Sequence, residues 1–330
     1  MARLLLRSPQ FKFIQIPIGG VNSCTCQIKI NGATRYTLVK NTKKNSTQNF
    51  DISELARDYL EIAYQSNYLP QSVLIQVILK NYSGFDGTGN VVSTKTSVDY
   101  GYDGYGYFED GTNPISPTSG YLISKNTVED EVQLYLPASD VNVSEGTKVP
   151  QIVNGQINVV NVSGNATSIG GSYDSKIYRI DCTKYGNGRK IIFINKFGVQ
   201  QDLWFFLKET KTLARKNENY KTNILTYPNS NNPATYSISN APNRTFNTTA
   251  KQSFTLSSGY YSENANNFFE ELLLSEYVWL ARINKVTESD DIVPVKVKKS
   301  SIQFKTSVND RLVEYTIEFE EAFDYINNIR

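Results

Sequence analysis

Apolar and polar positions alternate along most of this chain, and a helical period surfaces only twice. In the first hundred or so residues Phe11, Phe13, Ile14 and Ile16 form a strand-like run that Pro17 and Gly19-Gly20 break. Cys26, Ile28 and Ile30 alternate with Gln27 and Lys29, then Asn31-Gly32 leads into Tyr36–Val39. Asn-Gly between two such runs predicts a hairpin, because both central residues of a type I′ turn need positive φ. Asp51-Ile-Ser-Glu54 has the form of a capping box, and Ile52, Leu55, Tyr59 and Ile62 recur at helical spacing. The first helix is therefore expected over about 52–64. Val73–Leu79 is an apolar run of strand length, interrupted only by Gln76, and is expected to be buried on both faces.

Short strand signals continue through the middle of the chain. Val132, Leu134 and Leu136 alternate with polar partners, Gln156–Val162 is rich in β-branched residues, and Ser163–Ser172 reads as a Gly/Ser loop. Tyr178, Ile180 and Cys182 alternate with Arg179 and Asp181. The runs Ile191–Phe197 and Leu203–Leu207 predict a buried hairpin carrying Trp204, Phe205 and Phe206. Lys208–Lys251 is polar and rich in Lys, Asn, Thr and Ser. It reads as extended strands and loops of the kind used as interaction arms. The second helix is expected over about 263–276, from Ala265, Phe268, Phe269, Leu272 and Leu273. Strands are expected at Tyr277–Arg282, Ile292–Val297 and Ile302–Lys305, with a turn at Asn309-Asp310. Val313, Tyr315, Ile317 and Phe319 then alternate with Glu314, Thr316, Glu318 and Glu320, which gives a strand with one buried and one acidic face. The fold class that follows is mainly β: two or three β-sandwich or barrel-like modules with two short amphipathic helices. Boundaries are expected near 118 and 225, dividing the chain into 1–118, 119–225 and 226–330.

Composition narrows the chemistry. The 330 residues hold 34 basic and 32 acidic side chains, 22 Tyr, 16 Phe, 3 Cys and no His. Without histidine there is no Ser-His-Asp or Cys-His mechanism and no histidine metal ligand. Cys24 and Cys26 stand two apart on one strand face, which is the wrong geometry for a four-ligand zinc cage, and they are expected to be buried free thiols. No catalytic residue, cofactor site or metal site is assigned. Lys296, Lys298 and Lys299 fall short of a nucleic-acid-binding cluster, and no run is long enough to span a membrane.

Two groups remain as candidate interaction surfaces. Tyr100, Tyr102, Tyr105 and Tyr107 sit among glycines in Gly101-Tyr-Asp-Gly-Tyr-Gly-Tyr-Phe108, expected as a loop or edge hairpin. They offer either an exposed aromatic contact surface, suited to a host-surface glycan, or rings packed on their own module. Glu314, Glu318 and Glu320 share one strand face and read as a solvated or partner-facing sheet edge rather than a hydrolase or calcium site.

Three stretches carry a family resemblance: Phe50-Asp-Ile-Ser-Glu-Leu-Ala-Arg-Asp-Tyr59, Ile191-Ile-Phe-Ile-Asn-Lys-Phe-Gly198 with Trp204-Phe-Phe206, and Pro294-Val295 through Asn309-Asp-Arg-Leu-Val-Glu-Tyr-Thr-Ile-Glu-Phe319. Together they resemble structural proteins of tailed bacteriophages, of the AT-rich marine or Bacteroidetes type. The resemblance implies β-sandwich modules and a tail-tube- or baseplate-like C-terminal module. It also implies partners that are copies of the chain and other virion proteins, a place in the virion after assembly in the host cytoplasm, and no active site.

Overall fold

The computed structural model describes the chain apart from residues 1, 18, 44, 115–120, 126–131, 138–140, 144–147, 154–155, 163–165, 171–174, 181–187, 229–232, 284–289, 299–302, 304–311 and 327–330. The fold is mainly β, with several sheets and two α-helices among the described residues.

The N-terminal part contains β1 (Arg3–Leu5), β2 (Phe11–Gln15), β3 (Ser23–Ile30), β4 (Ala33–Asn41), β5 (Thr47–Asp51), α1 (Ser53–Arg57), β6 (Val73–Tyr82) and β7 (Val91–Tyr102). Five strands make one sheet in the order β1-β7-β6-β3-β4, and β2 pairs with β5 in a second, smaller layer. Their facing side chains, among them Ile28, Ile75, Val77, Ile14 and Phe50, form one core. The β3–β4 turn falls on Asn31 (φ 49°) and Gly32 (φ 83°), the positive pair that a type I′ turn requires. β6 alternates buried and half-buried positions along its whole length. The expectation of burial on both faces is thus corrected: only one face of this sheet has a full second layer.

The first helix is much shorter than expected, ending at Arg57 rather than 64. Its N-cap is Ile52, with no side-chain cap, so the expected Asp51–Glu54 capping box does not form; Asp51 instead accepts from the Ser53 amide (3.0 Å) and hydroxyl (2.7 Å) just ahead of the helix. The apolar period was real but serves two cores. Leu55 and Tyr59 pack on the N-terminal core, whereas Ile62 and Tyr64 reach across to Ile192, Ile194 and Trp279 of the C-terminal sheet. Reaching the second core unwinds the helix.

In the middle of the chain lie β8 (Tyr121–Lys125), β9 (Val132–Pro137), β10 (Val141–Val143), β11 (Lys148–Val153), β12 (Gln156–Asn161), β13 (Ala166–Gly170) and β14 (Ser175–Ile180). They pair as β8-β9, β11-β12 and β10-β14-β13. Ala166–Gly170, expected as part of a loop, is a strand because its backbone pairs with β14 whatever its side chains. Cys182 lies outside the described residues.

The last part holds β15 (Arg189–Ile194), β16 (Gln200–Phe205), β17 (Glu209–Lys221), β18 (Asn243–Ser257), β19 (Tyr261–Ser262), α2 (Asn266–Leu274), β20 (Val278–Ile283), β21 (Asp290–Val297), β22 (Leu312–Val313) and β23 (Thr316–Glu321). Seven strands form one antiparallel sheet, β16-β15-β20-β21-β23-β18-β17. Phe269 and Leu272 of α2 pack on its inner face against Phe205, Phe254 and Phe319. The sheet takes β15–β17 from before residue 225 and the rest from after it, so it crosses the boundary expected there. The second helix occupies Asn266–Leu274 of the expected 263–276, preceded by a 3-10 turn at Glu263–Ala265. The expected strand at Ile302–Lys305 and turn at Asn309-Asp310 fall, apart from Gln303, outside the described residues.

The N-terminal part and the seven-stranded sheet meet along a seam. Gly104 forms a β-bridge with Phe197, and the Tyr105 amide donates to the Lys196 carbonyl at 2.7 Å. A Cβ at Gly104 would lie 2.6 Å from that carbonyl oxygen and 2.7 Å from Leu5, so only glycine fits. Further along, the Tyr68 hydroxyl donates to Asp202 at 2.6 Å, and Gln65 and Gln200 exchange two hydrogen bonds of 3.0 Å. Residues 115–187 are therefore an insertion, in sequence, between two halves that pack together.

Candidate functional site

The tyrosine-rich stretch lies at this seam. Tyr100 and Tyr102 close strand β7, where Tyr100 lies opposite Arg3 and Leu74. Tyr102 is buried beneath the Arg3 guanidinium, 4.2 Å from its ring centre, and Arg3 also donates to the Phe197 carbonyl. Tyr105 is buried beneath Arg7 (4.9 Å) and meets the half-buried Tyr107 edge-on at 5.9 Å. Burial raises the pKa of both Tyr105 and Tyr107 and keeps their phenols neutral. The four rings are distributed between sheet, seam and surface and do not form one open face. The exposed ring is the next residue, Phe108, at 90%.

Charges at the seam pair across long sequence distances. Arg57 on α1 donates from Nε to Asp103 Oδ1 at 2.9 Å and from Nη2 to Glu276. Arg7 joins from the other side, 3.5 Å from Glu276, and donates to the Leu274 carbonyl at 3.0 Å. Burial raises the Asp103 pKa, and the Arg57 charge works against that rise. Glu271, buried on α2, accepts only a long bond from the Lys196 amide (3.3 Å), and burial pushes its carboxyl up to about 7. It forms the floor of an open cleft of about 350 Å³ between residues 107–109 and α2, lined also by Lys196, Asn267 and Glu270. The Lys196 ammonium lies over the Tyr107 ring at 4.7 Å, so part of its charge is spent inside the cleft wall.

The acidic strand is placed differently from expectation. The expected strand is broken at Glu314 and Tyr315, between β22 and β23, and β23 is an interior strand between β21 and β18, so Glu318 and Glu320 do not guard a sheet edge. Alternation reports which face a residue takes but not whether a neighbouring strand exists. The three carboxylates are half-buried and partnered: Ser257 donates to Glu314 at 2.5 Å, Lys298 to Glu318 at 3.0 Å, and Lys251 to Glu320 at 3.4 Å. Cys24 and Cys26 are buried free thiols, and burial, then the neighbouring Cys24, pushes Cys26 up to about 12. Little reactive thiolate forms there. Among the described residues no group of three or more Cys, Asp or Glu is arranged to hold a metal ion, and no helix is long and apolar enough to cross a membrane.

One surface was only half legible in the sequence. The polar segment does form extended strands, but as a single ribbon. β17 and β18 pair along their whole length, with an irregularity at Glu218/Asn219. β23 pairs with only Ser253–Ser257 of β18. From Leu213 to Lys221 and back from Asn243 to Thr249 the two strands therefore run as an arm with no third strand among the described residues; at its base the Tyr325 amide donates to the carbonyl of buried Ala250 at 2.8 Å. β17 is exposed at every position after Glu209. Large apolar side chains stand out from the arm and its tip, including Leu213 (55% exposed), Phe246 (78%) and Ile238 (96%). The signal in the sequence was Leu213, Tyr220 and Phe246 set in an otherwise polar stretch. Comparison with protein-family models, with curated proteins and with solved structures finds no match for this chain, so its site is defined by these residues alone.

Proposed function

We propose that this chain is a non-enzymatic structural component of a tailed-phage particle, of tail or baseplate type, that works by binding copies of itself and other virion proteins. The arm carries this reading. An isolated two-stranded ribbon is marginally stable in water at best. This one leaves Leu213, Tyr220, Ile238 and Phe246 exposed, with Tyr220 and Phe246 meeting edge-on across the ribbon at 6.5 Å, and clustered exposed apolar side chains mark contact surfaces. The carboxylates at the seam are engaged in packing: Asp103 and Glu276 pair with Arg57 and Arg7, Glu271 accepts from the Lys196 amide, and Asp202 accepts from the Tyr68 hydroxyl. The phage assignment within this reading draws on the resemblance of the three quoted stretches. The glycan-binding alternative drew on Tyr100–Tyr107, and two of those four rings are buried.

Quantitative mass spectrometry of purified particles from a phage encoding the chain tests the reading. The expected result is many copies per particle, with antibody label confined to the tail or baseplate. Particles that lack the chain, together with a strictly monomeric purified protein, would overturn it.

A further inference from the structure

We infer that the β17–β18 arm of one copy docks in the cleft between residues 107–109 and α2 of a second copy. This rests on the assembly reading above and gives it a partner and an address. The two surfaces are chemically complementary. Between Thr210 and Lys251 the arm carries six basic side chains (Lys211, Arg215, Lys216, Lys221, Arg244 and Lys251) against one acidic residue, Glu218. Lys251 is engaged by Glu320 at 3.4 Å, and Arg215 and Lys216 lie exposed further out along β17. The arm is thus basic and apolar together.

The cleft is acidic and apolar together. Phe108 projects from its rim and Glu109 is exposed beside it, while Glu270 lines the opposite wall on α2. Lys196 is the one cation in the lining, and it lies over the Tyr107 and Phe197 rings at 4.7 and 5.1 Å. Asp110 adds a further carboxylate next to the rim, where it accepts from the Tyr107 amide at 2.8 Å.

Other occupants fit less well. β17 is the terminal strand of its sheet, so its outer backbone edge is open. Pairing two such edges, however, would bring Lys211, Arg215, Lys216 and Lys221 of both strands together, and like charges on an edge oppose that pairing. The arm is also long enough to leave its own body. The nine residues Leu213–Lys221 span roughly 30 Å at the usual strand rise of ~3.3 Å per residue. Arm and cleft are different surfaces, so the contact is heterologous. It either closes reciprocally or in a ring, or propagates as a filament.

Charge exchange tests the pairing. One variant reverses the arm (R215E with K216E) and a second reverses the cleft (E109K with E270K). Arg215, Lys216 and Glu109 are exposed, whereas Glu270 is half-buried and bonded to the Tyr107 side chain, so E109K alone is carried as a second cleft variant, and circular dichroism and thermal unfolding of it and of the arm variant should match wild type. In sedimentation velocity the wild type is expected to form oligomers that weaken with added salt. Each variant alone should associate at least tenfold more weakly, and an equimolar mixture of the two should recover association. Four results would overturn the inference: a cleft variant that assembles like wild type, with the assembly reading left standing; a mixture that fails to recover; a wild type that stays monomeric at every concentration; or duplex DNA that binds the wild type and not the arm variant while association is absent.

Discussion

The seam and the arm use the same kinds of residue, Tyr, Phe, Arg and Lys, to opposite ends. At the seam, Arg3, Arg7 and Arg57 cover tyrosine rings or neutralise buried carboxylates, and these contacts close within one chain. Along the arm, Arg215, Lys216 and Phe246 face solvent. Residue type does not separate the two regions. What separates them is whether the chain itself returns to cover the surface, and under the assembly proposal the uncovered arm is the surface offered to another molecule. Changes at the seam should therefore alter the stability of the single chain, and changes on the arm should alter association.

The sharpest break is Gly104→Val. The added side chain would collide with the Lys196 carbonyl and Leu5, and a loss of about 3–4 kcal/mol is expected in denaturant unfolding. A loss below about 1 kcal/mol would mean that the seam is loose.

Next in size is the pH dependence set by Glu271. Its carboxyl is pushed from 4.5 up to about 7 in the folded chain, so folding favours the protonated form. Its contribution is fully present below pH 4.5, where both states are protonated, and falls away as pH rises from there through about 7. The difference is on the order of 3 kcal/mol. Glu271→Gln should flatten unfolding free energy between pH 5 and 7, and an unchanged slope in that variant would assign the pH dependence to other groups.

Arg57→Ala should cost about 2 kcal/mol, because it removes the Nε partner of the buried Asp103; Arg57 is itself one-third exposed, which keeps the loss below that of a fully buried pair. Adding Asp103→Asn should return part of this loss, measured as a double-mutant cycle. The smallest effect on stability is expected from Phe246→Ser on the arm, within about 0.5 kcal/mol. That variant should nonetheless weaken association in sedimentation, and a large destabilisation of the monomer would show that the arm is part of the fold after all.

What the sequence revealed followed locality. The Asn31-Gly32 turn, the 191–207 hairpin and the buried alternation of Val313–Phe319 depend on neighbours within a few residues, and all three appear in the structure. The 52–64 helix formed only over Ser53–Arg57, and its apolar residues answer to two cores rather than one. The place of β23 inside its sheet was illegible, since a strand's side-chain pattern records its faces and not its neighbours. The seam was illegible for a related reason: Arg57 and Glu276 are 219 positions apart, and no local pattern encodes that distance. Burial of the tyrosines followed from the seam, and composition alone fits rings on the surface as well as rings inside.

The insertion of residues 115–187 between the two halves has a consequence for how the molecule is made. Gly104 and Tyr105 leave the ribosome long before Phe197 and Lys196, whose backbone they pair with across the seam. At 5–20 residues per second, the intervening stretch takes roughly 4–15 s to synthesise. Throughout that interval the nascent N-terminal half holds its aromatic docking face open. That is long enough for chaperones, or a neighbouring nascent chain, to compete for it.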